Sequence, residues 1–185
     1  HGKIILIGEH AVVYGEKAIA LPFFPTSCKV IVKDDKKNII SSSIYTGLIE
    51  EAPLQMEAII SLIKKLNKEF KLPPMHYQID SNISIAAGMG SSAAIASAIV
   101  AAVYNYLDED LPSEIHFNWI QFSETIAHGN PSGIDALTTT NNNAWIFQKG
   151  MEPIKFDTKL NAYLIVGQSG ELGNTKEAVS HVRRL

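Results

Sequence analysis

A glycine-rich turn between a strand and a long helix is the feature that most constrains the fold of this chain. Residues 76–85 alternate loosely between polar and apolar side chains and predict a strand, whereas the alanine-rich residues 91–107 predict a helix. Between them, Gly88 and Gly90 let the backbone turn sharply and approach a ligand without a β-carbon in the way. The turn therefore presents the unpaired N–H groups at the start of a helix to whatever binds there.

Two functional interpretations and one structural interpretation fit this turn. Ser91 and Ser92 open the helix, whose positive end favours a phosphate, and a hydroxyl there can also bind a phosphate-bound Mg²⁺. A helix start built from small residues for close packing explains the segment equally well. The spacing Gly88-x-Gly90-x-x-Ala93 also matches a dinucleotide fingerprint. That match is weak, because the fingerprint needs a second strand after the helix and the sequence predicts another helix instead.

Hydrophobic patterning elsewhere predicts an α+β domain, because strands come first and helices and strands alternate later. The predicted strands are residues 3–7, 18–23, 29–32, 38–42, 143–148 and 162–166, and the predicted helices are 56–70, 114–127 and one starting at 174. The charged tetrad 34–37 predicts a hairpin turn between two of these strands.

Composition narrows the class of protein. The 185 residues are 46% hydrophobic and 19% charged, with a net charge of -3 and interspersed signs, which suits one folded domain and does not favour nucleic-acid binding. Cys28 is the single cysteine, so no intramolecular disulfide forms. No apolar run of about 18 residues and no signal peptide is present, so we expect a cytoplasmic protein without a membrane partner.

Two polar segments carry candidate chemistry. A helix brings Glu124 to its end, and Gly-Asn-Pro-Ser-Gly then forms a stiff turn directly before Asp135. A carboxylate held there can accept a proton from a substrate hydroxyl, and Glu124 can bind a metal ion, although an ordinary helix-to-loop connection explains the same residues. Glu9 and His10 follow the first strand, in a segment between Gly8 and Gly15. They are either site residues or an ordinary pair of surface residues.

Three segments together resemble the GHMP kinase superfamily in its mevalonate kinase form. KIILIGEHAVVYG at residues 3–15 resembles its first motif, AAGMGSSAA at 86–94 its ATP-binding loop, and ETIAHGNPSGID at 124–135 the signature of the mevalonate kinase branch. The resemblance implies a GHMP kinase N-terminal domain, which is ribosomal protein S5 domain 2-like, with a mixed sheet and a left-handed βαβ crossover. It also implies transfer of phosphate from ATP to the C5 hydroxyl of (R)-mevalonate, with mevalonate and ATP as partners, Mg²⁺ as cofactor and a homodimer as one possible assembly.

The resemblance also assigns roles to individual residues. Asp135 matches the catalytic aspartate and a substrate contact, and Lys3 matches the lysine beside it. Ser92 and Glu124 match the two Mg²⁺ ligands, while Glu9 and His10 match substrate positions. The loop around the phosphates matches Ala86, Ala87, Gly88, Met89, Gly90, Ser91 and Ser92.

The sequence departs from the family pattern in three places. Ser84 and Ala86 stand where the family commonly has Pro and Gly, and Gln168 stands where it usually has Asp. The family also has a second domain of roughly another hundred residues. We therefore expect residues 1–185 to form the N-terminal domain, with the C-terminal domain starting near 174–185, and expect little kinase activity from these residues alone. A related kinase acting on another alcohol and a catalytically silent ligand-binding module are the alternatives.

Overall fold

The computed structural model describes residues 1–85, 87–157 and 163–167, and within them eight strands and four α-helices. The strands are β1 Gly2–Ile7, β2 Lys17–Phe23, β3 Cys28–Asp34, β4 Ile39–Ser41, β5 Thr46–Leu48, β6 Met75–Ser81, β7 Ala144–Gln148 and β8 Ile154–Phe156. The helices are α1 Glu57–Glu69, α2 Ser91–Tyr106, α3 Ser113–His128 and α4 Ile134–Thr140. The mixture of helices and strands agrees with the predicted α+β class.

The strands form two four-stranded sheets instead of the single mixed sheet expected from the family resemblance. Sheet A has the order β1-β2-β7-β8 and is antiparallel throughout, whereas sheet B has the order β3-β6-β4-β5. β2 and β3 are consecutive in the chain but belong to different sheets, so the turn at residues 24–27 carries the chain from sheet A to sheet B.

Sheet B contains the parallel pair. β4 runs parallel to β6, and the connection between them passes through β5 and α1. The left hand expected for a crossover of the family stays a prediction. β3 lies on the other side of β6 and is antiparallel to it.

The main core lies between sheet B and the helices α1, α2 and α3. Alternate residues of β6, Met75, Tyr77 and Ile79, are buried against it, as the two-residue period of a half-buried strand requires. Tyr77 donates its hydroxyl to Asn67 of α1, which keeps that buried polar atom paired. α2 lies centrally because its small side chains, including the fully buried Ala93 and Ala96, allow close packing.

A smaller core joins sheet A to α4. Ala18 and Ala20 of β2 are fully buried, and they cluster with Val12, Ile134 and Phe147. Because alanine side chains are short, α4 can lie close to the sheet. This contact places the N-terminal end of α4 near β1.

Three local predictions were wrong. The tetrad 34–37 does not close a hairpin, because β6 lies between β3 and β4 and its alternating apolar residues make it the better partner for both. The strand predicted at 76–85 ends at Ser81. Residues 163–166 form no strand in the structure, and Tyr163 is 99% exposed. The helix predicted from 174 lies outside the described residues.

The structure also tests the expectations about the single cysteine and about membrane-spanning helices. Burial raises the pKa of the Cys28 thiol to about 11, so this cysteine is a packed thiol and not a thiolate nucleophile. In the described parts of the chain, no helix combines the length and apolar character needed to cross a bilayer.

Candidate active site

A buried ion pair joins the first strand to the fourth helix. The Lys3 ammonium lies 3.0 Å from the Asp135 carboxylate, and the lysine side chain is only 2% exposed while Asp135 is 31% exposed. A buried lysine needs such a partner, because an unpaired charge out of water is costly. The partial exposure of Asp135 leaves one side of its carboxylate open to a ligand.

The glycine-rich loop passes directly over the stem of Lys3. The backbone N–H of Lys3 donates to the carbonyl of Met89 at 3.0 Å, which fastens the loop to β1. A β-carbon on Gly90 would lie 2.8 Å from Cγ of Lys3, and Gly90 has a φ of +67°. Only glycine combines that backbone conformation with so close an approach.

Helix α2 begins immediately after this glycine. Gly90 is its N-cap and has no side chain with which to cap the first turn. The N–H groups at the start of Ser91–Tyr106 and the positive end of the helix therefore face the loop, which is the arrangement that binds phosphate. Ala87 to Ser92 lie in this arrangement, whereas Ala86 lies outside the described residues.

The dinucleotide interpretation finds no support. Asp108 has a φ of 55° just after α2, is exposed, and precedes another helix, α3, instead of a strand. The fingerprint requires its ribose-binding acid at the end of a second parallel strand.

Ser92 and Glu124 meet where α2 and α3 pack together. The Ser92 hydroxyl donates a hydrogen bond to Oε1 of Glu124, and the Glu124 side chain is almost fully buried. His128, one turn later on α3, has Nε2 3.7 Å from the other carboxylate oxygen. The long helices thus bring a hydroxyl and a carboxylate from distant sequence positions to one point.

The electrostatics connect Glu124 to the ion pair. Burial raises the pKa of the Glu124 carboxyl above its ordinary value, and the Asp135 charge raises it further. The Ser92 hydrogen bond and the positive groups of His128 and Lys3 oppose this rise. A buried carboxylate whose ionisation is disfavoured gains most from a divalent cation, since the cation supplies the missing positive charge.

The donor atoms here suit Mg²⁺. Ser92 and Glu124 offer oxygen ligands, which Mg²⁺ prefers, and it usually keeps several waters and takes others from substrate phosphates. No group of three or more His, Cys, Asp or Glu side chains in the described ranges could hold a metal by itself. A Mg²⁺ ion held by Ser92 and Glu124 would take its remaining ligands from water or from a bound phosphate.

Glu9 lies beside the glycine-rich loop. A β-carbon on Gly88 would be 3.4 Å from Oε1 of Glu9, so the carboxylate flanks the loop although the side chain is exposed. The neighbouring His10 is half-buried, and its Nδ1 has no hydrogen-bond partner among the described residues. Glu9 therefore offers an exposed carboxylate at this end of β1, whereas the unpaired nitrogen of His10 is itself buried.

A short helix that the sequence did not predict positions Asp135. The turn at residues 129–133 ends at Gly133, the N-cap of α4, with φ +96°, and Asp135 lies in the first turn of that helix. Lys149 donates to Asn130 at 3.0 Å and ties this turn to the end of β7. The threonines at residues 138–140 gave no helix signal in the sequence, because threonine is a poor helix former.

The helical side of the molecule carries a separate groove. Its volume is about 450 Å³, and aromatic residues including Phe70, Tyr104 and Trp119 line it. None of the predicted site residues lies in it. The candidate site is the open surface at the start of α2 and α4.

A family model for the GHMP kinases N terminal domain matches residues 57–141. These residues include α1, the glycine-rich loop, α2, α3 and α4. This match, together with the 34% identity to a curated mevalonate kinase described next, shows that the chain carries the N-terminal domain of the GHMP kinases.

Several curated relatives of this chain are mevalonate kinases. The chain is 34% identical to mevalonate kinase of Archaeoglobus fulgidus over 158 residues, covering 84% of the chain and 55% of that protein. It is 28% identical to mevalonate kinase of Aeropyrum pernix over 194 residues, covering 98% of the chain and 59% of that protein. The chain therefore spans somewhat more than half the length of these relatives.

Solved structures agree in fold. A mevalonate kinase from methicillin-resistant Staphylococcus aureus has a TM-score of 0.64 and 34% identity, covering 85% of this chain and 53% of that one. The L. major mevalonate kinase in complex with R-mevalonate has a TM-score of 0.69 and 21% identity, covering 100% of this chain and 59% of that one. At 21% identity, the similarity to the L. major enzyme shows a shared fold and nothing more.

Proposed function

We propose that the protein containing this chain is a mevalonate kinase, which transfers the terminal phosphate of ATP to the C5 hydroxyl of (R)-mevalonate. The observation that carries this proposal is the buried ion pair between Lys3 and Asp135, set directly beneath a loop whose helix N-terminus suits a phosphate. The identity to curated mevalonate kinases supports this substrate over another alcohol.

The ion pair would act on the substrate hydroxyl. The open side of the Asp135 carboxylate accepts or orients the hydroxyl proton, and the Lys3 ammonium balances the negative charge of that carboxylate. Lys3 also offsets negative charge that develops on the transferred group, which in a buried position acts more strongly than in water. Phosphoryl transfer needs mainly alignment and charge neutralisation, and the two side chains supply both.

The loop and the helix start would hold the nucleotide. Residues 86–92 provide backbone N–H groups for the phosphates, with Gly88 and Gly90 leaving room for their approach. Ser92 and Glu124 would hold Mg²⁺, which neutralises phosphate charge when bound. The exposed carboxylate of Glu9 and the half-buried imidazole of His10 would contact mevalonate.

The lengths of the relatives support a two-domain organisation for the whole protein. The chain covers 55% and 59% of the two mevalonate kinases described above. We propose that residues 1–185 make up the N-terminal ATP- and substrate-binding domain, and that a C-terminal domain begins near 174–185. A homodimer stays a prediction that sedimentation of the full-length protein would test.

The test is turnover of the full-length protein with ATP, Mg²⁺ and a panel of alcohols that includes (R)-mevalonate, galactose and homoserine. We expect ADP release with mevalonate and a product heavier by one phosphate. Preference for another alcohol would favour a related kinase, and no turnover with any would favour a silent ligand-binding module.

The domain proposal has its own assay. Residues 1–185 alone should turn over mevalonate far more slowly than the full-length protein. Equal rates would contradict it.

A further inference from the structure

Three consecutive threonines on α4 make the same hydrogen bond. Each hydroxyl donates to the carbonyl four residues earlier: Thr138 to Ile134 at 2.7 Å, Thr139 to Asp135 at 2.8 Å and Thr140 to Ala136 at 2.8 Å. Threonine is a poor helix former because its branched side chain restricts rotamers, but this bond is one that its hydroxyl can make within a helix. All three bonds lie within a helix of only seven residues, and each keeps its hydroxyl paired.

Of the three, Thr139 alone is bonded to a residue of the candidate site. Its hydroxyl holds the backbone of Asp135, whose carboxylate forms the ion pair with Lys3. Thr138 holds Ile134, a residue of the small core beneath sheet A. The hydroxyl of Thr139 therefore holds a residue of the candidate site, whereas the hydroxyl of Thr138 holds a residue of the core.

The methyl group of Thr139 faces the glycine-rich loop at Gly90. A β-carbon placed on Gly90 would lie 3.3 Å from this methyl carbon and 2.8 Å from Cγ of Lys3. The space above the α-carbon of Gly90 is thus bounded by the lysine stem and by the threonine methyl. Thr139 is 4% exposed, so its position is fixed by packing.

We propose that Thr139 is a positioning residue that sets the distance between the Lys3–Asp135 ion pair and the glycine-rich loop. Its hydroxyl fixes the first turn of α4, from which the Asp135 carboxylate projects, and its methyl fixes the loop against that helix. In-line transfer depends on the separation of the hydroxyl and the phosphate, where displacements of about 1 Å can cost 10²-fold in rate. This inference rests on the kinase activity proposed above.

The two halves of the side chain can be tested separately in the full-length protein. Thr139→Val keeps the shape and the methyl group but removes the hydroxyl, so Asp135 loses its brace. We expect kcat to fall about tenfold, with KM for ATP and for the alcohol changed less than about twofold. Thr139→Ser keeps the hydroxyl and removes the methyl, so kcat should recover to within about threefold while KM for ATP rises several-fold.

The matched control is Thr138→Val, which removes the same kind of hydrogen bond from the same helix at a fully buried position. It should leave kcat within about twofold of the parent while changing the melting temperature about as much as Thr139→Val does. If both valine variants lose kcat equally, or neither does, Thr139 has no positioning role. The rates are measured with whichever alcohol the full-length protein phosphorylates, so failure with mevalonate counts only against the proposed substrate.

Discussion

Lys3 and Asp135 form a 3.0 Å ion pair although one lies on the first strand and the other on the last described helix. The lysine side chain is buried and the aspartate side chain is partly exposed, so one face of the pair is shielded from water and the other can reach a ligand. That asymmetry allows one carboxylate to be held by the protein and still reach a substrate.

Removing either member of the pair should abolish turnover with different effects on stability. Asp135→Asn leaves the Lys3 ammonium buried without a counter-charge, which should lower the free energy of unfolding by about 2 kcal/mol. Lys3→Met removes that charge, so the double variant should regain most of the loss. We expect kcat to fall by about 10²–10⁴ in all three variants, as measured by ADP release, with stability followed by urea unfolding. Full activity in Asp135→Asn would contradict the role given to this residue.

Glu124 should make the ligand-free protein less stable at neutral pH than in mild acid. Because the folded state raises the pKa of this carboxyl, its contribution to the free energy of unfolding is fully present below the unfolded pKa and is lost as pH rises through the folded pKa. Glu124→Gln cannot ionise, so its melting temperature at pH 7–8 should exceed that of the parent by about 2–5 °C without ligand.

The same substitution should reduce Mg²⁺-dependent turnover at least about 100-fold, since a neutral amide binds the cation poorly. Glu109→Gln, at an exposed position beyond α2, is the control and should change neither property. A parent protein that melts at the same temperature as Glu124→Gln from pH 5.5 to pH 8 would show that burial of this carboxylate has no cost.

Gly90→Ala should displace the glycine-rich loop. The added carbon would meet the Lys3 stem at 2.8 Å in a backbone conformation with φ +67°. Gly150→Ala is the matched control, because it has φ +82° and nothing within 4 Å of the added carbon. Both should lose about 1 kcal/mol of stability from the strained backbone. Only Gly90→Ala should also weaken ATP binding, about tenfold or more by calorimetry, and equal ATP affinities would show that the loop accommodates the side chain.

Gln148→Leu should loosen the segment that carries Glu9 and His10. Gln148, at the end of β7, donates its side-chain N–H to the carbonyl of Gly15 at 2.7 Å and closes that segment against sheet A. We expect KM for the alcohol to rise about three- to tenfold and KM for ATP to stay the same. Gln78→Leu, at an exposed position on β6, should change neither constant. A parallel rise in both constants would indicate general damage to the site.

The local elements could be predicted well because their signals lie within short windows. The spacing of Ile59, Ile60, Ile63 and Leu66 gave α1 to within one residue at each end, and these side chains are buried as the pattern predicted. The alanine-rich α2 was also predicted, because a helix of 16 residues contains enough turns to show its character. The family resemblance drew on the same local segments and is supported by the family match.

Pairings between distant segments could not be predicted in this way. The choice of β6 as the partner of both β3 and β4 depends on burial in the assembled core, which the apparent turn at residues 34–37 does not reveal. Helix α4 was missed because seven residues rich in threonine give neither a clear period nor a high helix propensity.

The sequence by itself determined the three long helices and most strands, the open glycine turn at the start of α2, and the residue types available for chemistry. Tertiary structure alone decided that Lys3 contacts Asp135, that Ser92 contacts Glu124, and that Thr139 lies between the ion pair and the loop. The reason is physical: local propensity acts over a few residues, whereas these contacts exist only after two sheets and three long helices have packed around common cores.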